Sequence, residues 1–415
     1  MASLGNIETT PLAGVTFVSF STGAILYLTG DAHNLVGPSA QRVMPRINAL
    51  TTIYVTGYIL VEDALPVRQD PGTQVQRSPY SPPIRLLTEE IASTYFVDDP
   101  KEKPMVSLTR IEVHSDDIAT LTFESPTHVD IIPGQAAVLD FKSFVGALPY
   151  QHMAPGNPIS VNDDRIRTWT VSGASRWAGS FSENMETGTR AGPMSFTLTL
   201  RHKLGGAVTS ALFAVVQQVG KFRPDLLEDA RPLGLTVPLV GIAGEFTLPG
   251  EADRSATRKW LWVAGGIGIT PFLAMLAGLR EKNSSRGGAV DDITLVLSTR
   301  EPCVLLPLVI RALECTGNRG QKLGGYQGKL SIHIFSRTPP SPTSSATTDG
   351  TLLTVEVTHH ASRLNEEALR ALNINDVQER QVYICGPEGF EQIALAALRE
   401  MGVDSHKVRK EGFTY

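Results

Sequence analysis

Cysteine is scarce in this chain: 415 residues hold three, Cys303, Cys315 and Cys385. So few, so widely spaced, exclude a disulfide framework, a four-thiolate zinc site and a four-thiolate iron–sulfur cluster, and the simplest expectation is a reducing, cytoplasmic setting. Long apolar runs are missing too. No stretch reaches about 18 consecutive apolar residues, and the opening MASLGNIETTPLAGV lacks a basic segment followed by an apolar core, so neither membrane insertion nor secretion is expected. Positive charge is not in excess: 37 Lys and Arg face 42 Asp and Glu, a net charge of -5, which argues against nucleic acid as the main partner. Metal-ligand spacing is absent among the nine histidines; the adjacent His359-His360 reads as a solvated pair, and no Ser/His/Asp nucleophile arrangement stands out. What remains is an ordinary globular composition, 42% hydrophobic and 19% charged, in a chain long enough for two or three domains of about 150 residues each.

The patterning changes three times. Residues 1–67 carry short β-branched and aromatic runs, VTFVSF, AILYLTG and TTIYVTGYILV, separated by turn residues, which predict three or more strands. Residues 68–103 fill with Pro, Gly, Ser and Gln and read as a linker, with a helix expected to start at Thr88. Over residues 104–252 strand signals return at MVSLTRIEVHS, IATLTFESP, AAVLDFKSF, RTWTVSGAS and MSFTLTLRHK, as in an antiparallel barrel or sandwich. Residues 257–415 alternate buried strand and amphipathic helix, the grammar of a parallel α/β sheet. In the last helix Phe390, Ile393, Ala394, Ala397 and Leu398 share one face and are expected to pack in the core. TPPSPTSSATTDG inside this region reads as a surface insertion.

Three places carry candidate chemistry. Gly265, Gly266, Gly268, Thr270 and Pro271 follow a buried strand and open a helix, where glycines let backbone approach a pyrophosphate, Thr270 is placed to cap the helix and Pro271 suits its first turn. The same turn also serves sterically, so alone it leaves both readings open. Cys385-Gly386-Pro387 closes the last predicted strand on the edge where open parallel sheets bind ligands, which gives Cys385 proximity and not nucleophilicity. In the barrel region Arg167, Trp169, Thr170 and Ser172 place a cation, an aromatic and hydroxyls together, as a flavin needs; a core strand with a snorkelling arginine reads equally well. Gly205 and Gly206 lead into a helix with Thr209 and Ser210 near its start, a second phosphate candidate or ordinary helix-entry hydroxyls.

In this order the motifs resemble the ferredoxin-NADP reductase-like flavoproteins, which join a FAD-binding β-barrel to a nicotinamide-binding α/β domain. The likeness runs from about Pro104 to Tyr415. Arg167-Thr168-Trp169-Thr170 is similar to the family's Arg-x-Tyr-Ser signature, with Trp for Tyr and Thr for Ser. Gly205-Gly206-Ala207-Val208-Thr209 is similar to Gly-Gly-x-x-Ser, Gly266 to Pro271 to Gly-x-Gly-x-x-Pro, Cys385-Gly386-Pro387 to Cys-Gly-Pro, and Glu411-Gly412-Phe413 to Glu-x-Phe. The resemblance implies a FAD-dependent NAD(P)H oxidoreductase. In it Arg167 holds the flavin pyrophosphate, Trp169 packs on the flavin, Thr170 approaches N5, and Gly205, Gly206 and Thr209 cradle phosphate. Gly266, Gly268 and Thr270 bind the nicotinamide nucleotide, Cys385 and Glu411 sit beside the nicotinamide, and Phe413, or else Tyr415, covers the flavin. Ser298, Thr299 and Arg300 at the end of ITLVLSTR suit a 2′-phosphate, while the adjacent Glu301 suits a ribose diol, so both NADPH and NADH stay open. Residues 1–67 resemble part of a pyridoxamine phosphate oxidase-like split barrel. Half a barrel leaves an open edge, so either Met1 is not the natural start or another chain completes the sheet, and a homodimer is one expectation. The electron acceptor is unidentified: a protein, a small molecule or oxygen. The competing readings are a non-catalytic nucleotide-binding scaffold that keeps the fold, and a flavin-free dehydrogenase.

Overall fold

In the computed structural model the described residues are 2–44, 47–70, 78, 80–81, 87–90, 103–146, 154, 156–178, 193–249, 258–286, 291–313, 328–340, 353–374 and 376–413. The chain divides into two compact units, Met1–Thr94 with Tyr150–Asp163, and Tyr95–Pro149 with Asp164–Tyr415. The barrel and the α/β sheet both lie in the second unit.

In the first unit β1 (Leu12–Val18), β2 (Ile25–Val36) and β3 (Ala49–Val61) form an antiparallel sheet in that order, flanked by α1 (Ala2–Thr9) and α2 (Pro38–Val43). The strands follow from their alternating β-branched and aromatic residues. Tyr54 and Tyr58 on β3 are about three-quarters exposed, at 75% and 73%. From Thr88 only a single 3-10 turn, Thr88–Glu90, is described, anchored when the Thr88 hydroxyl donates to the carbonyl of Arg42 at 2.7 Å. The rest of the helix expected there, and most of TPPSPTSSATTDG, lie outside the described residues.

The second unit opens with β4 (Met105–Val113), β5 (Ile118–Ser125), β6 (Ala136–Asp140), α3 (Lys142–Val145), β7 (Ile166–Thr170), β8 (Gly173–Ala174), β9 (Met194–Arg201), α4 (Ala207–Phe222), α5 (Asp225–Glu228) and β10 (Thr236–Ala243). Its antiparallel sheet has the order β7-β6-β10-β4-β5-β9-β8. Only Val171 and Ser172 separate β7 at one end from β8 at the other, so the two ends lie side by side and the sheet rolls into a barrel. Its core is packed by Val106, Leu121, Phe123, Leu139, Phe196 and Leu198, with α4 contributing Leu212, Phe213 and Val216.

Then come β11 (Arg258–Gly265), α6 (Thr270–Arg286), β12 (Asp291–Ser298), α7 (Pro302–Leu313), β13 (Gly328–Phe335), β14 (Leu353–His360), α8 (Glu366–Arg370), β15 (Gln381–Pro387), α9 (Glu388–Glu400) and β16 (Val408–Phe413). The strands pair in parallel in the order β14-β13-β12-β11-β15-β16. The expected fold class, an antiparallel barrel followed by a parallel α/β sheet, is observed. β11, RKWLWVAG, is buried over its last six residues because helices cover both faces of a parallel sheet. At its amino end the fully buried Asp291 carboxylate takes a two-pronged bond from Arg258, at 2.8 and 2.9 Å, and the indole N–H of Trp260 at 3.0 Å, which satisfies a charge otherwise costly to bury. Barrel and sheet meet through apolar and polar contacts: Phe246 packs edge-on to Tyr383 at 5.2 Å, and the Tyr383 hydroxyl donates to Thr247 O at 3.0 Å.

Candidate functional site

Strand register decides which candidates share a place. Gly265 pairs with Ser298, Ala264 with Cys385, Cys385 with Glu411, and Gly386 with Gly412. Candidates from four sequence segments therefore stand at neighbouring positions along the carboxyl edge of one parallel sheet, where ligands of such sheets bind. Pro387 pairs with Phe413 through the backbone; the Phe413 side chain lies outside the described residues.

The glycine turn after β11 is tighter than its sequence suggests. Gly266 to Ile269 form a 3-10 turn that runs directly into α6, so Thr270, at φ -56 and ψ -44, is already helical and does not cap the helix as expected. Gly266 adopts φ 56, a left-handed conformation that favours glycine. Gly268 admits no side chain, because a Cβ there would lie 2.3 Å from the carbonyl oxygen of Cys385. Gly265 and Gly386 both face the Phe390 ring, which a Cβ would meet at 2.8 and 2.6 Å. Phe390, expected only as core, is thus the wedge that makes both glycines necessary, and Pro271 follows in the first helical turn.

Cys385 is fully buried, and its thiol is pushed well up by burial and by the negative charges of Glu411 and Glu391, so it stays protonated and un-nucleophilic. Burial raises Glu411 to about 7, and its Oε2 is buried without a partner. Glu391 on α9, which the sequence did not single out, is also buried with Oε1 unpartnered, and desolvation raises it too. An orphaned buried carboxylate is costly and is accounted for where a polar ligand docks.

On the barrel, β7 carries Arg167, Trp169 and Thr170. Arg167 is half-buried and donates to the carbonyl of Ile166 at 2.9 Å. Trp169 stands edge-on to Phe141 at 5.3 Å, and Thr170 is 5% exposed. Ser172 is occupied within the barrel: its hydroxyl donates to Thr197 O at 3.1 Å and receives that of Thr199 at 2.9 Å. Gly205 takes φ 76 with open space beside it, and Gly206 precedes α4. The Thr209 hydroxyl turns back to Lys203 O at 3.2 Å.

Barrel and sheet candidates converge through a short path. Thr170 pairs with Ala136, Ala136 pairs with Ala243, and a Cβ built on the next residue, Gly244, would lie 3.9 Å from Glu411 Oε1. The donor set fits a flavin dinucleotide beside a nicotinamide: a guanidinium and a glycine turn for phosphates, an aromatic, a buried hydroxyl, and an orphaned carboxylate at the junction. The histidine pair differs from expectation. His360 stacks on Phe335 at 4.4 Å and hydrogen-bonds His333 at 3.2 Å, while His359 Nε2 bonds Ser336 O at 2.9 Å, so the pair is half-buried and packed on neighbours rather than fully solvated. Among the described residues no group of three or more His, Cys, Asp or Glu is arranged to hold a metal ion, and no helix is long and apolar enough to cross a membrane.

No family model matches the chain. Among curated proteins it is 24% identical over 315 residues to the stachydrine N-demethylase reductase subunit of Rhizobium meliloti, covering 75% of this chain and 67% of the relative. It is 22% identical over 236 residues to the glycine betaine monooxygenase reductase subunit of Pseudomonas aeruginosa, covering 53% of this chain and 48% of that protein. The chain therefore spans about two thirds of the first relative and about half of the second. Solved structures that align include the flavohaem-like FAD/NAD-binding domain of nitric oxide dioxygenase from Vibrio cholerae, at 15% identity and TM-score 0.41, covering 75% of this chain and 98% of that one. Another is a ferredoxin NADP+ reductase from Neisseria gonorrhoeae with bound FAD and NADP, at 14% identity and TM-score 0.41, covering 75% and 97%. At these scores the structural likeness carries no argument. The expectation of a reductase is borne out by the curated relatives, both named reductase subunits; the split-barrel likeness of residues 1–67 stays a resemblance.

Proposed function

We propose that this chain is a FAD-dependent NAD(P)H reductase that supplies electrons to an oxygenase component. The carrying observation is the path from Thr170 through Ala136 and Ala243 to Gly244 and the Glu411 carboxylate, which joins the flavin candidates of the barrel to the nicotinamide candidates of the sheet edge. The choice of an oxygenase is supported by the name of one curated relative, a monooxygenase reductase subunit.

Held by the residues of β7 and the Gly205–Gly206 turn, FAD would supply hydride acceptance from the nicotinamide and onward release of electrons to the acceptor. Everything else is positioning by the protein. Arg167, Gly205 and Gly206 hold the diphosphate of FAD, Trp169 packs its ring system, and Thr170 offers a hydroxyl to its reactive edge. The N–H groups of the Gly266–Ile269 turn and of the first turn of α6 face the nucleotide phosphates. Cys385, held as a thiol, gives the nicotinamide an uncharged neighbour, and Glu411, titrating near neutrality, holds or releases one proton beside it. Phe413 takes the flavin-covering place at the end of β16, and Tyr383 and Phe246 behind the edge exclude water.

The test is the visible spectrum of the purified chain loaded with FAD, before and after anaerobic NADH and NADPH. A flavin band bleached by either nucleotide is expected. A chain that takes up no FAD overturns the reading in favour of the scaffold or the flavin-free dehydrogenase. The reading also places the protein in the cytoplasm as a homodimer. β3 is a 13-residue strand without a charged residue at one edge of its sheet, which suits pairing with a second copy, and light scattering at twice the chain mass is the result expected.

A further inference from the structure

The loop after β12 sets two opposite charges side by side, and the geometry separates them. A carboxylate at such an edge holds a ribose diol, whereas a cation takes a 2′-phosphate. Thr299, 9% exposed, is tied down on both sides: its N–H donates to Phe335 O at 3.0 Å, and its hydroxyl accepts the N–H of Glu301 at 3.0 Å. Glu301 then opens α7, its carbonyl accepting the N–H groups of Val304 and Leu305, each at 3.1 Å. Its carboxylate meets the guanidinium of Arg201, the last residue of β9 on the barrel, which also holds Asp117 at 3.0 Å. Both partners of the Arg201–Glu301 pair are largely shielded, with side chains 29% and 26% exposed. Arg300, between Thr299 and Glu301, is exposed and has no ion-pair partner among the described residues.

We propose that Arg201 is a specificity-determining positioning residue: by pinning Glu301 to the barrel it withdraws that carboxylate from the nucleotide and leaves Arg300 to take a 2′-phosphate, so the chain prefers NADPH. The inference rests on the nicotinamide site described above and names its substrate. Arg201 touches no nucleotide; it acts through Glu301. Without Arg201, Glu301 and Asp117 stand unneutralised beside a phosphate that carries about two negative charges, and attraction by Arg300 is offset by repulsion.

The experiment measures calorimetric binding of 2′,5′-ADP and of 5′-AMP to the full, FAD-loaded chain, with kcat/KM for NADPH and NADH alongside. The wild-type chain binds 2′,5′-ADP at least about tenfold more tightly than 5′-AMP, roughly the 1.4 kcal/mol of one phosphate contact. Arg300→Ala removes that margin. Arg201→Met weakens 2′,5′-ADP about fivefold or more and leaves 5′-AMP within about twofold, while Arg201→Lys keeps the preference. The double variant Arg201→Met/Glu301→Gln recovers 2′,5′-ADP binding, because the carboxylate released by the first change is gone. Equal loss for both ligands in Arg201→Met, or no recovery in the double variant, shows that Arg201 merely holds barrel to sheet and overturns the proposal, as does equal wild-type affinity for the two ligands. Preferential 2′,5′-ADP binding without flavin bleaching upholds the proposal and sinks hydride transfer instead.

Discussion

Glu411→Gln offers the most direct test of the junction, because it replaces a titrating group by a neutral one of nearly the same shape. Burial holds the folded carboxyl at about 7 against an ordinary 4.5. The folded chain therefore keeps a proton between those values that the unfolded chain has already released, and stability falls as pH rises through that window and levels off above it. Each pH unit is worth about 1.4 kcal/mol, so the full penalty is about 3 kcal/mol, of which about 2 kcal/mol develops between pH 5.5 and 8.5. Glutamine pays none of this. The variant is thus expected to gain about 2 kcal/mol over wild type on moving from pH 5.5 to 8.5, a relative rise in urea midpoint of about 1 M for an ordinary denaturant slope. Glu391 titrates in both proteins and cancels. All four tryptophans, at 169, 177, 260 and 262, lie in the second unit, so their fluorescence follows the unit that contains Glu411. Identical pH dependence in the two proteins would refute the buried, orphaned carboxylate.

The remaining predictions concern the ligands. Arg167→Ala is expected to leave the chain without FAD after gel filtration, and full flavin occupancy would remove the assignment of β7. Thr170→Val, which keeps shape and deletes the hydroxyl, should slow flavin reduction by NAD(P)H about ten- to hundredfold with FAD still bound; an unchanged stopped-flow rate would show that the hydroxyl has no part. Gly268→Ala drives a methyl against the Cys385 carbonyl and should cost several kcal/mol or abolish nucleotide binding, read by thermal unfolding and by 2′,5′-ADP titration; a stable, binding variant would mean the turn is looser than described.

The motifs were legible because each is a backbone requirement written in residue type: glycine where a turn needs a left-handed conformation, a strand-end cysteine and glutamate where register sets them level. Other parts were hidden for equally local reasons. β10 occupies the middle of the barrel sheet, yet its sequence TVPLVGIA contains Pro238 and Gly241, which weaken any strand reading. Both are accommodated, since Pro238 is at the end of the pairing with β4 and Gly241 sits at an irregularity in the pairing with β6. The His359-His360 pair looked solvated because its partners, Phe335 and His333 for His360 and the Ser336 carbonyl for His359, lie more than twenty residues away.

The glycines show most plainly what one sequence conceals. Gly265, Gly266 and Gly268 looked like a single phosphate-binding device, but each answers to a different neighbour. Gly266 supplies the left-handed turn, Gly268 makes room for the Cys385 carbonyl, and Gly265, with Gly386, makes room for the Phe390 ring. Two of the three needs arise from residues more than a hundred positions downstream, so no local pattern announces them. The same holds for Glu301: its sequence neighbours suggest competition with Arg300 for the ribose, while the barrel's Arg201, a hundred residues upstream, gives the carboxylate another partner. Where function depends on which of two adjacent charges faces a ligand, the deciding residue lies on another element, and the topology that brings β9 to the start of α7 has to be known before the chemistry can be assigned.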